Sequence, residues 1–96
     1  MRADAAIWCR PVHEMSIALE VGRLVELELE RHPGRLLSVG VMVGDDSGLE
    51  PGSLTFCLEA VLAHPPFDGA RPVLNRVPGD ALRLEYLEVD DGSPDD

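Results

Sequence analysis

The chain has no lysine, only four aromatic residues and only two cysteines among its 96 residues. Each shortage excludes something. With two Phe, one Trp and one Tyr, the core must be aliphatic, built from Leu and Val with Phe56 and Phe67 as minor fillers. The cysteines, Cys9 and Cys57, form no Cys-x-x-Cys pair, so neither a disulfide framework nor a zinc ribbon can be assembled from them. No apolar run approaches the roughly 20 residues needed to cross a bilayer. Arg2, Asp4, Arg10, His13 and Glu14 also break up any signal-peptide core near the start, which places the protein in the cytoplasm and off the membrane. The lack of lysine reads as a coding bias of the source, because arginine keeps a surface soluble equally well.

What is abundant is negative charge. Eighteen acids against eight arginines leave a net charge of −10. Such a surface repels a phosphate backbone, so nucleic acid is excluded as a partner. A chain of this length buries only about 60% of its unfolded surface and supports one core, hence one domain.

From Ser16 to about Arg31, Ile17, Val21, Leu24 and Val25 recur at three- and four-residue steps and predict an amphipathic helix, stopped by His32-Pro33-Gly34. Leu36 to Val43 alternates and is rich in valine, which predicts a central strand with Leu37, Val39, Val41 and Val43 on one side. Pro51 suits the first position of a second helix capped by Glu50 or Ser47, with Leu54, Leu58, Val61 and Leu62 as its buried stripe. Two extended segments follow, about Arg71 to Val77 and about Leu82 to Val89, separated by Pro78-Gly79-Asp80 and read as a hairpin or as neighbouring strands. Pro72 favours an edge position for the first. In the second, Leu82, Leu84 and Tyr86 alternate out of phase with Leu87 and Val89, so both faces are covered or a bulge intervenes. The expected fold class is α/β (α+β), a two-layer domain with two helices packed on one face of a three-stranded sheet.

Chemistry concentrates at His13-Glu14-Met15-Ser16-Ile17-Ala18, where the first helix is expected to begin. An imidazole and an adjacent carboxylate offer nitrogen and oxygen donors to a divalent metal. The same pair also fits as ordinary polar residues at a helix entrance, where the dipole favours the acid. Cys9 stands four residues before His13 and is either a further donor or a small apolar residue beside Trp8. His32 and His64 flank prolines at helix ends, and Cys57 lies beside the second helix's stripe as a buried thiol. Asp45-Asp46 lacks the spacing of a calcium loop. No phosphate loop, nucleophile elbow or nucleophile-base-acid set is present, which argues against an enzyme.

The string His13-Glu14-Met15-Ser16-Ile17-Ala18 leading into an amphipathic helix resembles the start of the HypA/HybF family of hydrogenase maturation proteins. Val41-Met42-Val43-Gly44, then Ser47-Gly48-Leu49-Glu50-Pro51 and Ser53-Leu54-x-Phe56, resembles that family's strand, loop and second helix. Gly79-Asp80-Ala81-Leu82-Arg83-Leu84-x-x-Leu87-Glu88-Val89 resembles its closing strand.

The resemblance implies a nickel metallochaperone that delivers nickel(II) to a hydrogenase large subunit with a maturation GTPase as docking partner. It implies metal donors at His13 and Glu14. Glu50 becomes a supporting acid or, equally, a helix cap. Typical members place the histidine beside the terminal methionine, whose amine joins the site; here twelve residues precede His13, so Cys9, a backbone amide or water would replace it. Typical members also insert a zinc domain held by two Cys-x-x-Cys pairs, whereas Pro72 to Asp80 contains no cysteine or histidine, so no zinc is expected. On this reading residues 1–12 are an N-terminal extension, 13–89 a nickel-binding domain without a zinc ribbon, and 90–96 a solvated acidic tail. The competing reading is an adaptor that has lost metal handling and docks on a hydrogenase or its maturation GTPase. A homodimer through an uncovered edge strand is compatible with both.

Overall fold

The structure, a computed structural model, describes residues 2–92, with side chains described from residue 13 onward. Two helices and three strands follow in the order α1 (Arg2–Arg31), β1 (Arg35–Gly44), α2 (Pro51–Leu62), β2 (Arg71–Val77) and β3 (Leu82–Asp90). The two-layer α+β architecture expected from the sequence is the one observed. The first helix, however, begins well before Ser16. Ala3, Ala5 and Ala6 are strong helix formers and no glycine precedes Gly22, so the backbone stays helical past Pro11 although that residue donates no N–H. His13 and Glu14 therefore lie within α1 and not at its mouth.

The sheet order is β2-β1-β3, with β1 parallel to β2 and antiparallel to β3. β1 is central, as its valine content predicts, and Pro72 sits on an edge strand. The last two strands are neither a hairpin nor neighbours, because β1 lies between them. The linking residues 78–81 cross the end of β1 and are pinned there: the N–H groups of Gly44, Asp45 and Asp46 donate to the carbonyls of Ala81, Val77 and Gly79 at 2.6, 2.8 and 2.7 Å. A side chain at Gly44 would overlap the Gly79 carbonyl, so only glycine permits this crossing.

Two register shifts resolve the irregular alternation. In β1 the pairing jumps from Leu36 to Ser38, so Leu37 is exposed while Leu36 enters the core. The sequence periodicity places Leu37 inside, and the bulge reverses that assignment. In β3 the partner of Gly40 is Tyr86 and that of Val41 is Leu84, which leaves Glu85 as the extra residue. This bulge resets the phase, so Leu82, Leu84, Leu87 and Val89 are all half-buried against the core.

The core joins Ala18, Val21 and Val25 of α1 to Val39, Val41 and Val43 of β1 and Leu54, Leu58 and Leu62 of α2. Phe67 is buried there, but Phe56, expected as a core filler, is 69% exposed on the outer side of α2. Asp90, expected to open the acidic tail, instead closes β3 opposite Arg35, and residues 93–96 of that expected tail lie outside the described residues.

Candidate metal site

Glu14 is the unexpected residue of the fold. It stands four and seven positions before Ala18 and Val21, which puts it on the apolar stripe of α1, and it is only 5% exposed. A carboxylate is buried at this depth only where it is bonded. Glu14 Oε2 accepts the backbone N–H of Glu50 at 2.9 Å, tying α1 to the residue that starts α2.

The Glu50 side chain serves its own helix. It is the N-cap of α2, with extended backbone (φ −88°, ψ 117°), and its Oε1 accepts the Ser53 N–H at 2.7 Å while Pro51 takes the first helical position. The N–H of Ser53, then that of Gly52, hold the Glu50 carboxyl below the usual carboxylate range; the Ser53 hydroxyl and Arg76 act in the same direction. Of the two readings open for Glu50, the capping one is what the geometry displays.

Between these acids and the end of β1 lies an open cavity of about 480 Å³, lined among others by Glu14, Val43, Asp45, Leu49, Glu50 and Arg76. Arg76 reaches across from β2 and donates to Asp45 through Nε at 3.2 Å and Nη2 at 3.0 Å. The cavity thus holds three carboxylates and one guanidinium. Sequence reasoning set Asp45 aside for want of a calcium loop's spacing and did not reach Arg76. Only the parallel pairing of β2 on β1, which places Arg76 opposite Val43, brings the two to the same end of the sheet.

The fold brings Glu14 and Glu50 together, but it leaves His13 exposed and outside the cavity lining. Successive helical residues point about 100° apart, so an imidazole beside a buried carboxylate turns to the flank of α1. The Cys9 side chain lies outside the described ones. Among the described residues no three of His, Cys, Asp and Glu are grouped so as to hold a metal ion. Cys57 is buried and unbridged. No helix among the described residues is long and apolar enough to cross a membrane.

Comparison with known proteins supplies what this geometry alone does not. A family model described as "HypA: Hydrogenase/urease nickel incorporation, metallochaperone, hypA" matches residues 12–82. The hydrogenase maturation factor HypA of Geobacter metallireducens is 40% identical over 68 residues, covering 71% of this chain and 60% of the relative. That of Streptomyces avermitilis is 39% identical over 72 residues, covering 73% and 55%. That of Albidiferax ferrireducens is 35% identical over 79 residues, covering 81% and 70%. The matched region spans little more than half the length of two of these relatives.

Proposed function

The chain belongs to the HypA family, and on that premise we propose that it carries nickel(II) as cargo for the maturation of nickel-iron hydrogenase. The observation that carries the reading is the extent of the family match: it opens at residue 12, immediately before His13 and Glu14, and runs through β1, α2 and β2 to residue 82, where β3 begins. The protein acts in the cytoplasm and hands the ion to the hydrogenase large subunit, with a maturation GTPase as docking partner. Nothing in this role requires a bond to be made or broken in a substrate.

His13 supplies an exposed imidazole nitrogen. Glu14 supplies carboxylate oxygen, of which one atom is already bonded to the Glu50 N–H; a carboxylate retains lone pairs for a second partner. Glu50 supports this end by fixing the cap of α2, and Cys9 is the candidate that replaces a terminal amine. So open and incomplete a donor set suits delivery, because an ion held in a closed cage would not be released. The ribbon zinc of typical members takes four thiolates, which the two cysteines of this chain cannot supply, so nickel handling proceeds here without that second metal.

Calorimetric titration with nickel tests the proposal: the wild type takes up the ion, and His13→Ala abolishes or strongly weakens uptake. Identical isotherms for the two proteins would refute it.

The second reading, an adaptor without metal, is favoured by the engagement of Glu14 in a structural bond and by the exposure of His13 outside the cavity lining. Full hydrogenase activity in cells expressing a His13→Ala, Glu14→Gln variant, with partner binding retained, would select it.

A further inference from the structure

The two helices cover one face of the sheet, and among the described residues no element covers the other. On that open face Val73, Gly40 and Tyr86 form one row across the three strands. A side chain at Gly40 would overlap the Tyr86 ring, so the ring lies down over the central strand. Together with Val73 it makes an exposed apolar centre. Arg71 stands one row before this centre on β2, and Arg83 one row after it on β3.

Charge on this face differs from that of the chain as a whole. Arg35, Arg71 and Arg83 match Glu85, Glu88 and Asp90 in number, so the face is neutral within a chain of net charge −10. Each of these acids already accepts a hydrogen bond: Glu88 from the Ser38 hydroxyl at 2.8 Å, Asp90 from the Gly92 N–H at 3.0 Å and Glu85 from the Asn75 amide at 3.4 Å. The three arginine side chains make no ion pair or hydrogen bond among the described residues, although Arg35 stands opposite Asp90. Arg23, Arg31 and Arg76, away from this face, each pair with an acid. The uncovered layer therefore keeps unused guanidinium groups around an apolar centre.

We propose that this face docks an acidic segment of a partner protein. An apolar side chain of the segment lies on Val73 and the Tyr86 ring, and two carboxylates reach Arg71 and Arg83, each offering a planar fork of donors. The two arginines are two strands and four residues apart, roughly 16 Å, which an extended segment spans in about five residues. Nucleic acid does not fit, because closely spaced phosphates would also face Glu85, Glu88 and Asp90. Two carboxylates at diagonal corners avoid those acids. Physiological salt shortens the reach of the overall negative charge to roughly 8 Å, which leaves the local arrangement to decide at contact. The cavity of Glu14 and Glu50 lies on the other side of the sheet, so docking here is independent of nickel binding there.

The probe is a hexapeptide, blocked at its termini, with glutamate at both ends and leucine and tryptophan between them. Titrated into the isotope-labelled whole chain, it should shift the amide resonances of Gly40, Val73 and Tyr86 and reach saturation. The double variant Arg71→Gln, Arg83→Gln should bind it about fivefold or more weakly. Its urea midpoint should stay at the wild-type value, because neither arginine side chain bonds anything in the fold. The same hexapeptide with lysine at both ends should leave the face unshifted. Several results would overturn the proposal: no saturable shift, shifts confined to another surface, equal binding by the lysine peptide, or equal binding by the glutamine variant. Equal shifts with oligothymidine would make the face a general polyanion site, and shifts of the same amides with protein concentration alone would give it to a second copy; either result also overturns it.

Discussion

The carboxylate of Glu14, buried on the apolar stripe of α1, accepts the backbone N–H of Glu50 at 2.9 Å, and Glu50 in turn caps α2 with its own side chain. One acid anchors the other, and the two helices are joined at the end of the domain where metal binding is proposed. Removing the first acid therefore acts on the fold and on the ion together, and the two effects need separate measurement.

Glu14→Ala deletes the acceptor and leaves a part-buried N–H unpaired, which should cost about 1–3 kcal/mol in urea unfolding. Glu14→Gln keeps an acceptor oxygen and should recover most of that loss while still weakening nickel uptake. If the glutamine variant binds nickel as the wild type does, Glu14 is structural only.

Glu50 makes stability depend on pH. Its folded carboxyl lies below the unfolded value of about 4.3, so its contribution is complete above that pH and is lost as pH falls through the folded value. Urea midpoints should accordingly be lower for Glu50→Ala than for the wild type at neutral pH. The two should converge in acid.

Gly40 lies under the ring of Tyr86, and a side chain at this glycine would overlap the ring. Gly40→Ala should therefore be destabilising by about 1–3 kcal/mol in the wild type and nearly neutral in a Tyr86→Ala background. A double-mutant cycle measured by thermal unfolding gives the coupling directly. Additive effects would show that the ring does not occupy that space.

Phe56 and Phe67 should separate sharply. Phe67→Ala opens a cavity and should cost about 3–5 kcal/mol. Phe56→Ser, on the exposed side of α2, should change stability by no more than about 0.5 kcal/mol.

Arg76 places a positive charge in the cavity shared by Glu14, Asp45 and Glu50. Arg76→Gln should tighten nickel binding, by roughly a few-fold and more strongly at low salt, because the ion no longer approaches a guanidinium. Calorimetric titrations at two salt concentrations would register the effect; an equal or weaker affinity would place the ion elsewhere.

The sequence alone determined the element types and their order, the central position of β1, the edge position of β2 and the start of α2 at Pro51. These follow from local causes: periodicity, the missing N–H of proline and the preference of a carboxylate for a helix N-terminus. The His13-Glu14 pair stood out only through its resemblance to a family's opening motif, since local chemistry fits an ordinary helix entrance equally well. Only the tertiary structure decided the rest. Glu14 became a buried latch because its stripe position and the Glu50 N–H meet in space though 36 residues separate them. Arg76 joined Asp45 because β2 runs parallel to β1, and Leu37 and Leu36 exchanged faces because a bulge shifts the register by one. Local preference cannot specify such meetings, since each depends on how two distant segments are brought into register by a core that neither contains alone.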